Sequence, residues 1–116
     1  MESIYPRTEE RPWGEFREFT HNTPSTVKFI SIKQGESLSL QQHSYRKEFW
    51  RVLSGSPEIV IGDTTTRAKA GDEFTVPLGE SHRISAPDTS VEILEISLGD
   101  FKEEDIVRIE DKYGRA

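Results

Sequence analysis

Four side chains of this sequence combine ligating chemistry with a regular spacing. Gln41 and His43 stand two residues apart, four residues separate His43 from Glu48, and His82 follows the tight turn Pro77-Leu78-Gly79. Residues two apart on a strand share a face, so Gln41 and His43 point the same way. Two imidazoles, one carboxylate and one amide oxygen form a donor set for a divalent cation. The chain has no cysteine and three histidines. A thiolate zinc site, a disulfide framework and a cysteine nucleophile are therefore excluded, and a metal centre must draw on oxygen donors. The third histidine, His21, falls in a polar turn and reads as a surface residue.

The elements that must position these groups are strands. Short β-branched and aromatic runs bounded by turn residues recur at 15–20, 27–32, 38–43, 48–53, 58–61, 64–68, 74–77, 82–85, 91–98 and 106–109. Gly62-Asp63 predicts a hairpin joining 58–61 to 64–68. In 38–43, Leu38 and Leu40 take one face and Ser39, Gln41 and His43 the other. No segment carries a long 3.6-residue period, although 100–104 reads as a short helical turn. The expectation is an all-β sandwich or small barrel. Residues 1–12 read as an irregular lead-in, with a single domain over 13–116.

Composition narrows the partners. The 116 residues hold 15 Lys+Arg and 21 Asp+Glu, a formal charge of −6, which repels phosphate backbones and excludes a general nucleic-acid partner. No apolar run approaches the roughly 18 residues of a membrane-spanning helix. The N-terminal MESIYPRTEERPWG is charged and lacks the apolar stretch of a secretory signal. Asn22 is followed by Thr-Pro, which does not complete a glycosylation acceptor. A cytoplasmic setting is the expectation, and exposed edge strands in so small a domain suggest a homodimer.

The spacing Gly35-x5-Gln41-x-His43-x4-Glu48-x6-Gly55, followed by Gly71-x5-Pro77-x-Gly79-x2-His82, resembles the two cupin motifs in order. The resemblance implies a single cupin barrel, a double-stranded β-helix or jelly roll. Two positions depart from it: Gln41 stands where most cupins have a histidine, and Ala86 where the second motif usually ends in asparagine. A narrower resemblance runs through Arg11-Pro12-Trp13-Gly14, residues 27–32, Gly35 to His43, Arg46-Lys47-Glu48-Phe49-Trp50, Glu103 to Arg108 and Asp111 to Arg115. These stretches, spread over 11–115, are similar to type II phosphomannose isomerases. That family usually has Glu-His-Trp where this chain has Glu48-Phe49-Trp50. Strand alternation turns Phe49 away from Glu48, so the change falls outside the ligand set. In the family the cupin domain often follows a mannose-1-phosphate guanylyltransferase domain; without one, isomerisation alone is the implied activity.

The resemblance implies interconversion of mannose 6-phosphate and fructose 6-phosphate through an enediol. That reaction needs a metal, a proton shuttle and a phosphate anchor. The implied metal set is Gln41, His43, Glu48 and His82, holding one divalent ion; zinc is favoured, with manganese, cobalt, nickel or iron also compatible. The substrate-directed cations are Arg46, Lys28 and Arg115, and Lys28 is eligible as the base because desolvation depresses a lysine pKa. The acidic run Glu103-Glu104-Asp105 reads as a solvated face, not as a second metal site. Two other functions fit the pattern: a non-catalytic metal- and sugar-binding cupin, and a cupin acting on another sugar phosphate. An epimerase would need a further histidine for its proton relay, and only His21 remains.

Overall fold

The computed structural model describes residues 6–42 and 47–99 in full, together with the backbone of Arg46 and of residues 107–110. The described strands are β1 (Arg7–Arg11), β2 (Gly14–Glu18), β3 (Ser25–Ile32), β4 (Leu40–Gln42), β5 (Arg46–Ser54), β6 (Glu58–Ile61), β7 (Thr64–Arg67), β8 (Glu73–Val76), β9 (His82–Ser85), β10 (Val91–Gly99) and β11 (Val107–Glu110). Every strand pair is antiparallel. One sheet has the order β3-β10-β5-β8 and a second β11-β4-β9-β6-β7, while β1 and β2 form a separate hairpin. The all-β expectation holds. No helix occurs among the described residues, and the helical turn expected at 100–104 lies outside them.

The two larger sheets enclose a core of Ile32, Trp50, Val52, Ile59, Val76, Ile84, Val91 and Ile93, with Ile30, Leu38, Ile61 and Phe74 packed against it. Strand alternation produces this directly. On β10, Val91 and Ile93 point inward, while Glu92 and Leu94 on the opposite face are only partly buried. The hairpin expected across Gly62-Asp63 is present, pairing Ile61 with Thr64.

Between β5 and β6 the chain turns at Gly55, whose φ of +87° lies in the left-handed region. A Cβ there would come within 2.3 Å of the Ser90 carbonyl oxygen. Glycine thus serves two needs at once, the backbone conformation and the close approach of the loop before β10.

One expectation is corrected. Residues 7–11 are not irregular: they form β1, paired residue for residue with β2 from Arg7↔Glu18 to Arg11↔Gly14. The segment Arg-Thr-Glu-Glu-Arg has no apolar alternation to announce a strand. Cross-strand pairing and the Arg7–Glu18 ion pair at 3.1 Å hold it instead. A boundary after residue 12 therefore cuts through the hairpin turn.

The hairpin docks on the outer face of the four-stranded sheet. Arg17 makes a bidentate pair with Glu73 of β8, at 2.6 and 2.9 Å, and Arg51 of β5 joins the same carboxylate at 2.5 Å. These two guanidinium groups hold the Glu73 carboxyl below the usual carboxylate range, Arg17 contributing most. Just beyond β2, the Phe19 ring meets Phe49 of β5 with centroids 5.0 Å apart.

Candidate metal centre

The interior of the barrel changes character along its length. Antiparallel register places Ile93 beside Ile30 and Val52 at one level of the four-stranded sheet. The next level inward along β10 aligns Lys28, Glu95, Trp50 and Phe74, and the one after it Thr26, Ser97, Glu48 and Val76. Inward-facing positions thus pass from aliphatic to polar within two steps. On the opposite sheet, the same end carries Gln41 of β4 directly across from His82 of β9.

Glu48 and His82 meet between the sheets. Both are buried, at 3% and 5% exposure, and His82 Nε2 lies 3.6 Å from Glu48 Oε1. The other ring nitrogen, Nδ1, is 3.0 Å from the Glu80 carbonyl oxygen, to which it donates. That bond sets the tautomer and turns Nε2 toward the carboxylate, an orientation common to metal-ligating histidines. The imidazole also packs edge-on against Trp50, with centroids 5.6 Å apart. Trp50 in turn donates its indole N–H to Glu48 Oε1 at 3.1 Å and to Glu95 Oε2 at 3.2 Å.

Gln41 is held by its amide nitrogen, which donates to the Ser39 hydroxyl at 2.7 Å. The carbonyl end of the amide is then the one able to meet a cation. Ser97, register partner of Glu48, is fully buried, and its Oγ has no hydrogen-bond partner among the described residues. An orphaned hydroxyl beside a buried carboxylate, a turned imidazole and an amide oxygen suit a polar guest, and the donors are those of an imidazole–oxygen cation site. In that sense the residues present fit a divalent ion. Among the described residues no three His, Cys, Asp or Glu side chains gather into a complete cluster. His43, the other imidazole of the expected set, lies outside them.

Three of the four expected ligands, Gln41, Glu48 and His82, therefore share the polar end of the barrel. Of the expected cations, Lys28 sits on β3 opposite Glu95 but is exposed, like Val27 and Phe29 beside it, so the desolvation expected of a lysine base is not found there. Arg46 opens β5 opposite Gly99, and its side chain lies outside the described residues, as does Arg115. Phe49 points away from Glu48 and is buried against Phe19 beneath the hairpin, as its place in the alternation predicted.

Sequence reasoning missed Glu95, Trp50 and Ser97. Burial pushes the Glu95 carboxyl up to about 7, and the neighbouring Glu48 carboxylate adds to the effect. The Lys28 ammonium and the Trp50 N–H pull partly the other way. A signal was available in β10: its inward positions read Val91, Ile93, Glu95, Ser97. A carboxylate where alternation demands an apolar residue marks a site.

Two facing antiparallel sheets with convergent histidine, glutamate and glutamine at one end define a cupin-type barrel. In agreement, the cupin domain of Schizosaccharomyces pombe Cnp3 superposes with a TM-score of 0.62 at 19% identity, over 71% of this chain and 61% of that one. The family described as "Mannose-6-phosphate isomerase C-terminal" matches residues 2–111, and the chain belongs to that family. Among curated relatives, "Xanthan biosynthesis protein XanB" of Xanthomonas campestris is 38% identical over 98% of this chain. "Mannose-1-phosphate guanylyltransferase 2" of Escherichia coli O157:H7 is 37% identical over 97% of it. The chain spans about a quarter of the length of these relatives, 25% and 24% respectively.

Proposed function

We propose that this chain is a metal-dependent aldose–ketose isomerase that interconverts mannose 6-phosphate and fructose 6-phosphate. The observation that carries the reading is the buried His82–Glu48 pair, with Nδ1 of the imidazole tied back and Nε2 turned to the carboxylate. Membership of a family described by that activity supports the choice of substrate.

Glu48, His82 and Gln41, together with His43, would hold the cation. When bound, a divalent ion supplies Lewis-acid polarisation of the substrate oxygen next to the carbon that loses its proton. The protein's own residues do the rest. The aliphatic end of the barrel closes the site from beneath and keeps water from the reacting carbons. Lys28, on the same sheet level as Glu95 and Trp50, offers an ammonium to the phosphate, with Arg46 and Arg115 as the other cations of the proposal. The proposed homodimer would form through β3, an edge strand whose outer face exposes Val27 and Phe29.

A coupled assay tests the reading. Purified protein is given mannose 6-phosphate, and fructose 6-phosphate is measured with zinc, manganese, cobalt or magnesium, with and without chelator. The expected result is turnover that the chelator abolishes and added metal restores. No turnover with any of the four ions would overturn the isomerase and leave a sugar-binding module.

A further inference from the structure

We propose that Trp50, braced from behind by Glu95, is the positioning residue that sets both Glu48 and His82 for a cation; the inference rests on the metal-site reading above. Trp50 touches both groups. Its ring packs against the His82 imidazole, and its N–H reaches Glu48 Oε1. It is itself almost fully buried, at 1% exposure, so the ring has no room to turn.

Glu95 completes the device. The indole N–H is shared between Glu48 Oε1 and Glu95 Oε2, at 3.1 and 3.2 Å. A single donor held between two acceptors on adjacent strands fixes the tilt of the indole plane. That tilt decides how the ring edge meets His82 and which Glu48 oxygen is engaged. Register makes the arrangement rigid: Glu95 and Trp50 are directly opposite on β10 and β5, and Glu48 lies one step along β5 on the same face. The row links neighbouring strands of one sheet to His82 on the other. Partners of metal ligands that are not ligands themselves commonly govern affinity in this way.

The test is titration of the metal-stripped full chain with cobalt(II), following calorimetric affinity and the visible ligand-field spectrum. His82→Ala serves as the site control, and far-UV circular dichroism reports folding. Trp50→Phe keeps an aromatic ring but deletes the donor. It is expected to weaken cobalt binding by roughly 10- to 100-fold and to shift the spectrum. Because that core substitution can also loosen packing, Glu95 supplies a second pair of variants. Glu95→Gln retains a carbonyl acceptor for the indole and should bind within about threefold of the parent, whereas Glu95→Leu should weaken binding by roughly tenfold or more.

Parent-like affinity and spectrum in both Trp50→Phe and Glu95→Leu would overturn the proposal. Equal weakening in Glu95→Gln and Glu95→Leu would also overturn it, because Glu95 would then act through its charge and not through the indole. If the parent chain itself binds no cobalt, or His82→Ala binds as the parent does, the metal-site reading fails, and the positioning role fails with it.

Discussion

Replacing Glu95 by glutamine should change how the stability of the fold depends on pH. The Glu95 carboxyl is raised from 4.5 to about 7 in the folded chain, chiefly by burial and next by the Glu48 carboxylate. Below pH 4.5 the group is protonated whether the chain is folded or not, and it has no effect on the balance. Between 4.5 and about 7 the unfolded chain releases the proton while the folded chain keeps it, so stability falls as pH rises. Above about 7 the full cost is present. At about 1.4 kcal/mol per pH unit, the gap is worth about 3–4 kcal/mol. Glutamine has nearly the same shape, still accepts from the Trp50 indole, and does not titrate.

The assay is urea unfolding of parent and Glu95→Gln at pH 5 and pH 8. Groups common to the two proteins cancel in the comparison, and the difference covers whatever proton Glu48 and Glu95 share. The variant is expected to gain about 2–3 kcal/mol on the parent between those two pH values. Parallel pH dependence in the two proteins would refute the argument, because it would mean that the carboxyl is not desolvated in the folded state.

Two further predictions concern the frame that holds the site. Phe49→Ala should lower stability by about 3 kcal/mol, as the loss of a buried ring does, while cobalt affinity stays as in the parent; since Phe49 faces the hairpin, a large fall in affinity would contradict the alternation of β5. Gly55→Ala should lower the thermal midpoint measurably, because it combines a left-handed φ with a Cβ placed 2.3 Å from the Ser90 carbonyl oxygen, and a midpoint equal to the parent's would refute the close approach.

The interior of the barrel was legible in the sequence where alternation and burial agree. The inward sets Ile30 and Ile32, Trp50 and Val52, and Ile84 follow from a period of two. Turn residues at Gly62-Asp63 and Gly55 mark where the strands end. Gln41, Glu48 and His82 were singled out by spacing that resembles the two cupin motifs and not by alternation; the strands place them at one end of the barrel, and their role as ligands is the proposal made above. The hairpin strand β1 was not legible, because its residues are all polar and its order comes from pairing with β2 and from ion pairs. Glu95 and Ser97 were passed over because the run 91–98 reads as an apolar strand taken as a whole. Only when it is split into faces does the inner face turn polar at Glu95, where β10 lies beside Glu48 and Trp50.

The proposed chemistry depends on the polar end of the barrel being a cation site built around His82 and Glu48. The most direct measurement is calorimetric titration of zinc into the metal-stripped chain and into His82→Ala. About one equivalent is expected to bind to the parent, with an affinity lower by roughly 100-fold or more in the variant, as loss of an imidazole ligand from a mixed-donor site implies. Zinc binding of equal affinity and stoichiometry in both would contradict it.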